Sequence, residues 1–224
     1  MENARIVEVF QSIQGEGKSL GTPSVFIRFY GCNLRCRYCD SLYAVDQDID
    51  NSKETTVDEF VEQVSKFNSK HIIFTGGEPL LFQEFMIEAT KKLSEQNKDY
   101  TFEVETNGTI PIKPKLKVLL KTINISPKLS NSGIKKSIRI RPNALKTFPH
   151  NKSNFKFVIS NKKDVREALE LRNEYKFESY LMPQGKTRNI IIKNSQYVVE
   201  KCIKHGFLYS PREHIMIWNK KRGI

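Results

Sequence analysis

The chain is expected to fold as an α/β structure on a largely parallel sheet, either open and doubly wound or curved towards a barrel. Two observations predict this. Seven short β-rich runs recur along the sequence: SVFIRFY (24–30), HIIFTGG (71–77), YTFEVET (100–106), KTINISP (121–127), NFKFVIS (154–160), ESYLMP (178–183) and HIMIW (214–218). Helical patterns separate most of them, which implies parallel pairing through right-handed crossovers. A third observation concerns position. A cysteine cluster, TGGEP, ETNGT, SPK and MPQG each follow or end a strand, so five strand ends would meet at one mouth, where such folds put their chemistry.

The helices follow from spacing. Thr56 and Glu59 form a capping-box signature, and Val57, Phe60, Val61, Val64 and Phe67 then recur on one face. Phe82, Met86, Ala89 and Leu93 repeat the pattern after the second strand, and Val165, Ala168, Leu169 and Tyr175 after the fifth. Val198, Val199, Cys202 and Ile203 do so after the sixth. Pro111 and Pro114 break the interval after the third strand, and the interval after the fourth is irregular and basic.

At 224 residues and 38% apolar, the chain can bury one good core, and one domain over residues 1–224 is expected rather than disorder. No apolar run approaches the roughly 20 residues that span a bilayer. The first residues, MENARIVEVFQSIQGEG, lack a signal-peptide profile, so a cytoplasmic protein is expected, with no membrane partner. The net charge of +12 invites a nucleic-acid reading. Most of that charge is scattered, however. The stretch 127–153 holds seven Lys or Arg and no acid, and a solvated, mobile loop is preferred there over an RNA-binding surface. An anionic small-molecule substrate would also suit it.

Cys32, Cys36 and Cys39 place three of the four cysteines within eight residues. Thiols of a cytosolic protein stay reduced, so the cluster reads as a metal or redox site. Zinc needs four protein ligands, and Cys36 and Cys39 with Cys202 and His205 could supply them. That choice idles Cys32, removes Cys202 from an apolar helix face and gives TGGEP no role. A [4Fe-4S] cluster normally takes four cysteines, so three leave one iron open to a small molecule. The spacing CxxxCxxC, with an aromatic before the last cysteine in CNLRCRYC, resembles the radical S-adenosylmethionine (SAM) superfamily. The resemblance implies that SAM chelates the open iron and is cleaved to an adenosyl radical, the cofactor carrying the hard chemistry and no protein side chain acting as catalyst.

In TGGEP, Gly76 and Gly77 would let a ligand lie against bare backbone, and Pro79 ends the strand. The segment EVFQSIQGEGKSLGTPSVFIRFYGCNLRC resembles the N-terminus of the 7-carboxy-7-deazaguanine synthase family, and HIMIWNKKRGI its C-terminal end. The resemblance implies a partial (β6/α3) barrel. It also implies conversion of 6-carboxy-5,6,7,8-tetrahydropterin to 7-carboxy-7-deazaguanine with release of ammonia, on the path to queuosine and archaeosine. SAM would be regenerated and Mg²⁺ required. By the same resemblance, SAM is met by Tyr38, Cys39, Asp40, Gly77, Ser126, Pro127 and Lys128, and by Met182, Pro183, Gln184 and Gly185. Substrate is met by Ile13, Gln14, Gly15, Arg28 and Thr75, with Glu105 and His214 as further contributors.

The residue types suit that substrate. Arg28 offers a bidentate fork to a carboxylate, although strand alternation could equally turn it to solvent. Gln14 both donates and accepts, Gly15 is flexible, and Glu16 would accept from amino-pyrimidinone donors. Mg²⁺ keeps several waters and needs few protein ligands. Asp40 is favoured by charge, but the resemblance points to Ser41. The resemblance further implies a homodimer and an external electron donor of flavodoxin or ferredoxin type. A glycyl-radical activase and a zinc-stabilised basic RNA-binding module remain the alternatives.

Overall fold

The computed structural model describes residues 3–46 and 50–224. Six parallel strands form its centre: β2 (Pro23–Phe29), β4 (His71–Gly76), β5 (Thr101–Thr106), β6 (Thr122–Ile125), β7 (Ser153–Ile159) and β8 (Glu178–Pro183). Three more elements extend the sheet. β1 (Ala4–Ile13) and β3 (Lys53–Thr55) pair antiparallel on one side, and β9 (Leu208–Tyr209) adds two residues on the other, giving the order β3-β1-β2-β4-β5-β6-β7-β8-β9.

That order decides between the two expected architectures. A doubly wound sheet reverses direction at a switch point. Apart from β3, which pairs with β1 at the edge, each strand after β2 is added beside the one before it, so right-handed crossovers deliver the connecting helices to one face. The sheet curls around its other face, and β3 and β9 remain edges: a partial barrel.

The helices on the outer face are α1 (Val57–Ser65), α2 (Gln83–Gln96), α3 (Pro114–Leu119), α6 (Lys162–Tyr175) and α7 (Arg188–His205). The Thr56–Glu59 capping box forms in both directions at α1. Pro114 opens α3 instead of breaking it, because the first helical residue needs no N–H partner. The core lies between these helices and the strands, with Phe29, Phe74 and Phe102 stacked across β2, β4 and β5 at 6.1 and 6.3 Å. Among the described residues no helix is long and apolar enough to cross a membrane.

Two expectations fail. Residues 214–218 are not a strand but the helix α8 (Glu213–Trp218). Their β propensity is overridden because β9 already pairs with β8, and because Glu213 N–H is fixed to the Gly15 carbonyl at 3.0 Å. The basic stretch 127–153 is not a solvated loop. It contains the short helices α4 (Lys136–Arg139) and α5 (Pro142–Leu145), and it buries Leu129, Ile140, Leu145 and Phe148. Arg139, 5% exposed, donates to Glu167 at 2.8 Å. β1 is a further strand that local sequence did not reveal: Glu8, Phe10 and Ser12 alternate onto the inner face, and two of the three are polar.

Candidate active site

The C-terminal ends of β2 and β4 meet through glycine. A Cβ on Gly77 would lie 1.8 Å from the Gly31 carbonyl oxygen, and one on Gly76, at φ +127°, 2.3 Å from that of Phe29. The pair brings two backbones together, and both glycines also line the cavity described below. Gly77 N–H donates to Phe29 O at 3.0 Å and Glu78 N–H to Gly31 O at 2.8 Å. Buried Glu78 then accepts from Thr106 Oγ1 and Asn107 N–H, both at 2.7 Å, tying in the end of β5.

The cysteine loop sits on this platform. Cys32 Sγ accepts from Leu34 N–H at 3.4 Å and from Asn107 Nδ2 at 3.8 Å, and Cys39 N–H closes a turn onto Cys36 O at 3.1 Å. All three thiols are free and half-buried. Burial pushes Cys32 up to about 11 and raises Cys36 and Cys39, while the Lys128 ammonium pulls all three down. Among the described residues no three His, Cys, Asp or Glu side chains converge on a single ion. Three thiols that each bind a different iron of a cluster need no such point, so they fit a cluster. The four zinc ligands do need one, and they do not fit. Cys202 is buried in the core beneath α7, its thiol donating to Leu208 O at 3.5 Å.

The thiols open into a cavity of about 840 Å³ on the inner face of the sheet. Every site residue expected from the sequence lines it except Pro127 and Pro183, which are buried without reaching it. Thr75, Ser126 and Met182 stand at or beside the ends of β4, β6 and β8. Lys128 Nζ donates to Ser126 Oγ at 3.0 Å. Arg28 points inwards, not to solvent, donating to Glu8 at 2.6 Å and to Ser41 Oγ at 3.3 Å.

A second part of the cavity wall is a network of matched charges. Lys156, 2% exposed, bridges Glu16 and Glu105, each at 2.8 Å. Arg212 donates to Glu16 at 3.0 Å, to Gly185 O at 2.6 Å and to Asp40. Burial opposes ionisation of Glu16 and Asp40, but their cationic partners prevail. Glu16 is held well below the carboxylate range and Asp40 at about 2. Glu105 is different. Burial, reinforced by Glu103 and Glu16, outweighs Lys156 and pushes it up to about 7.

Gln14 and Gly15 make contacts within the protein that the sequence did not suggest. The Gln14 amide is spent inside the protein, donating to Glu103 at 2.7 Å and Glu105 at 3.1 Å and accepting from Glu16 N–H at 3.1 Å. It orients carboxylates and is not a free donor–acceptor pair. Gly15 is close-packed, since a Cβ there would stand 2.2 Å from His214 Nδ1. His214 itself lines the cavity, and burial depresses its pKa. Lys156 and Arg212 were missed. A lysine between two phenylalanines in NFKFVIS was a visible signal for the first, whereas nothing local marks Arg212.

The family description that matches is the radical SAM superfamily, over residues 26–190. The chain is 35% identical to the 7-carboxy-7-deazaguanine synthase of Pyrobaculum aerophilum, over 98% of this chain and 96% of that protein. It is 34% identical to the enzyme of that name from Clostridium acetobutylicum, over 99% and 100%. Among solved structures, QueE from Escherichia coli superposes with a TM-score of 0.73 at 21% identity, covering 93% of each chain, which speaks for the fold.

Proposed function

The chain belongs to the 7-carboxy-7-deazaguanine synthase family of radical SAM enzymes, and from that premise we propose that it converts 6-carboxy-5,6,7,8-tetrahydropterin to 7-carboxy-7-deazaguanine, releasing ammonia. The observation that carries this is one cavity lined both by three half-buried thiols and by paired buried charges. When bound, the [4Fe-4S] cluster and SAM supply an adenosyl radical. Cys32, Cys36 and Cys39 would hold the cluster. Lys128 would balance its charge and meet the SAM carboxylate.

The chain's own task is to hold the pterin. Arg28 has a planar fork already aimed inwards and would take the substrate carboxylate. Glu16, kept ionised by Lys156 and Arg212, would accept from the amino-pyrimidinone edge. Glu105 titrates near neutrality and can accept from the ring in one protonation state and donate in the other. For Mg²⁺, Ser41 Oγ lies 3.1 Å from Asp40 Oδ1. Ser41 and Asp40 would offer that ion two hard oxygen donors. A cytoplasmic homodimer served by an external reductant is proposed on the family likeness.

Anaerobic incubation of reconstituted protein with SAM, dithionite, Mg²⁺ and the carboxypterin is expected to yield the deazapurine. Deoxyadenosine accumulating without deazapurine would refute the substrate. One zinc and no iron per chain would refute the chemistry.

A further inference from the structure

The basic stretch after β6 has no part in the cavity beyond Lys128, yet it packs directly on the cysteine loop. Arg37 N–H donates to Ser132 O at 2.9 Å, and the Arg37 guanidinium stands 3.3 Å from where a Cβ on Gly133 would lie. Beyond Gly133, α4 and α5 form one side of a second depression of about 810 Å³ on the outside of the molecule. Its floor includes Ile140, Ala144 and Leu171, and Lys136 and Arg141 stand on its rim, with Glu174 the one acid in its lining. Arg37, Lys135, Lys136 and Arg141 are exposed, and among the described residues none of them forms an ion pair. The buried cation of this segment, Arg139, is neutralised by Glu167.

The depression also leads back to a cluster ligand. Thr109, in its wall, donates to Asn107 Oδ1 at 2.6 Å and accepts from Asn33 Nδ2 at 2.7 Å, and Asn107 Nδ2 donates to Cys32 Sγ. A path of hydrogen bonds, Thr109–Asn107–Cys32, thus joins an outer cationic hollow to a thiol.

We propose that this hollow is the docking surface of an acidic flavodoxin-type carrier, seated by Lys136, Arg141 and Arg37, whose electron enters through Thr109 and Asn107 at Cys32. The proposal rests on the radical SAM chemistry above, which needs a one-electron donor. The carrier's reduced flavin loses one electron and the cluster gains it, with no bond made or broken. An apolar floor inside a cationic rim complements an exposed flavin edge ringed by carboxylates. Attraction between unpaired surface charges raises the association rate and fades with salt.

The test uses the double variant Lys136→Glu with Arg141→Glu in cluster-loaded protein, against Lys98→Glu on the loop before β5, at the opposite rim. Binding of a flavodoxin is measured by biolayer interferometry across ionic strength, and its oxidation by stopped flow. Cleavage of SAM under dithionite is the check on the cluster. The double variant should slow flavodoxin association on the order of tenfold at low salt and flatten its salt dependence, with iron content and dithionite-driven cleavage unchanged. The single variant Arg141→Glu should show a smaller loss in the same direction. Unchanged flavodoxin binding would overturn the proposal, as would an equal loss in Lys98→Glu. Loss of tRNA binding in the double variant with flavodoxin binding intact would also overturn it and assign the face to nucleic acid. Failure to make deazapurine with either reductant would count against the substrate and leave the docking result standing.

Discussion

The two faces of the parallel sheet obey different physics, and single strands show it residue by residue. On β5, Phe102 and Val104 enter the core while Glu103 and Glu105 turn the other way into the charged network. On β7, Phe155, Phe157 and Ile159 pack outwards, and Lys156 between them turns into the cavity. The outer face is held by apolar burial, which asks only for volume and is forgiving of detail. The inner face would be filled with aliphatic layers in a closed barrel. Here it is open and hollow, and its most deeply buried charges, such as Lys156 with Glu16 and Glu105, are tolerable because they are paired. A site built this way is specific in charge count, and removal of one partner damages its neighbours.

Adjacent residues can test the contrast most strongly. Phe157→Ala and Lys156→Met should each cost about 3–5 kcal/mol in denaturant unfolding, the first through a cavity and the second by stranding Glu16 and Glu105. The two should then diverge. Adding Glu105→Gln should restore part of the Lys156→Met loss and none of the Phe157→Ala loss, and only Lys156→Met should weaken carboxypterin binding in calorimetry. Equal behaviour of the two would break the contrast.

A smaller effect is expected at Arg28. Arg28→Lys keeps the charge but loses the fork, so KM for the carboxypterin should rise roughly 10- to 100-fold, the equivalent of a charged hydrogen bond. Iron content should hold. An unchanged KM would place the substrate carboxylate elsewhere.

Glu105 offers a pH signature. Its carboxyl is raised from 4.5 to about 7 by burial, so between those values the folded state binds more protons than the unfolded one. Its contribution is therefore full below the unfolded pKa and is lost as pH rises through 7. Urea unfolding of Glu105→Gln should lack this decline, and coincident pH profiles for the two proteins would show that Glu105 is ionised throughout. The smallest effect belongs to the outer face. Thr56→Ala, which opens the capping box of α1, should cost about 1 kcal/mol and leave kcat unchanged, as activity and thermal melting would record.

Much of this molecule was legible in local sequence, for reasons particular residues make plain. α1 was readable because its cap and apolar stripe are both local. The cysteine loop was readable because its three ligands lie within eight residues. α8 was misread because HIMIW has strand propensity, and what opposes it is a contact with Gly15, about two hundred residues away. The 127–153 stretch misled for a related cause, since its charge is conspicuous while its buried Leu129, Ile140 and Leu145 are spaced irregularly.

By itself, then, the sequence determined the alternation of strands and helices, the three-thiol loop at a strand end and the glycine pair that follows, because each is set by short-range periodicity or spacing. Only the tertiary structure decided that the sheet curls into a partial barrel, and that Gly77 faces Gly31. It alone joined Glu16, Lys156, Glu105, Arg212 and Asp40 into one network. Those partners stand up to 196 residues apart in the chain, and the pairing of buried charge has no local signature.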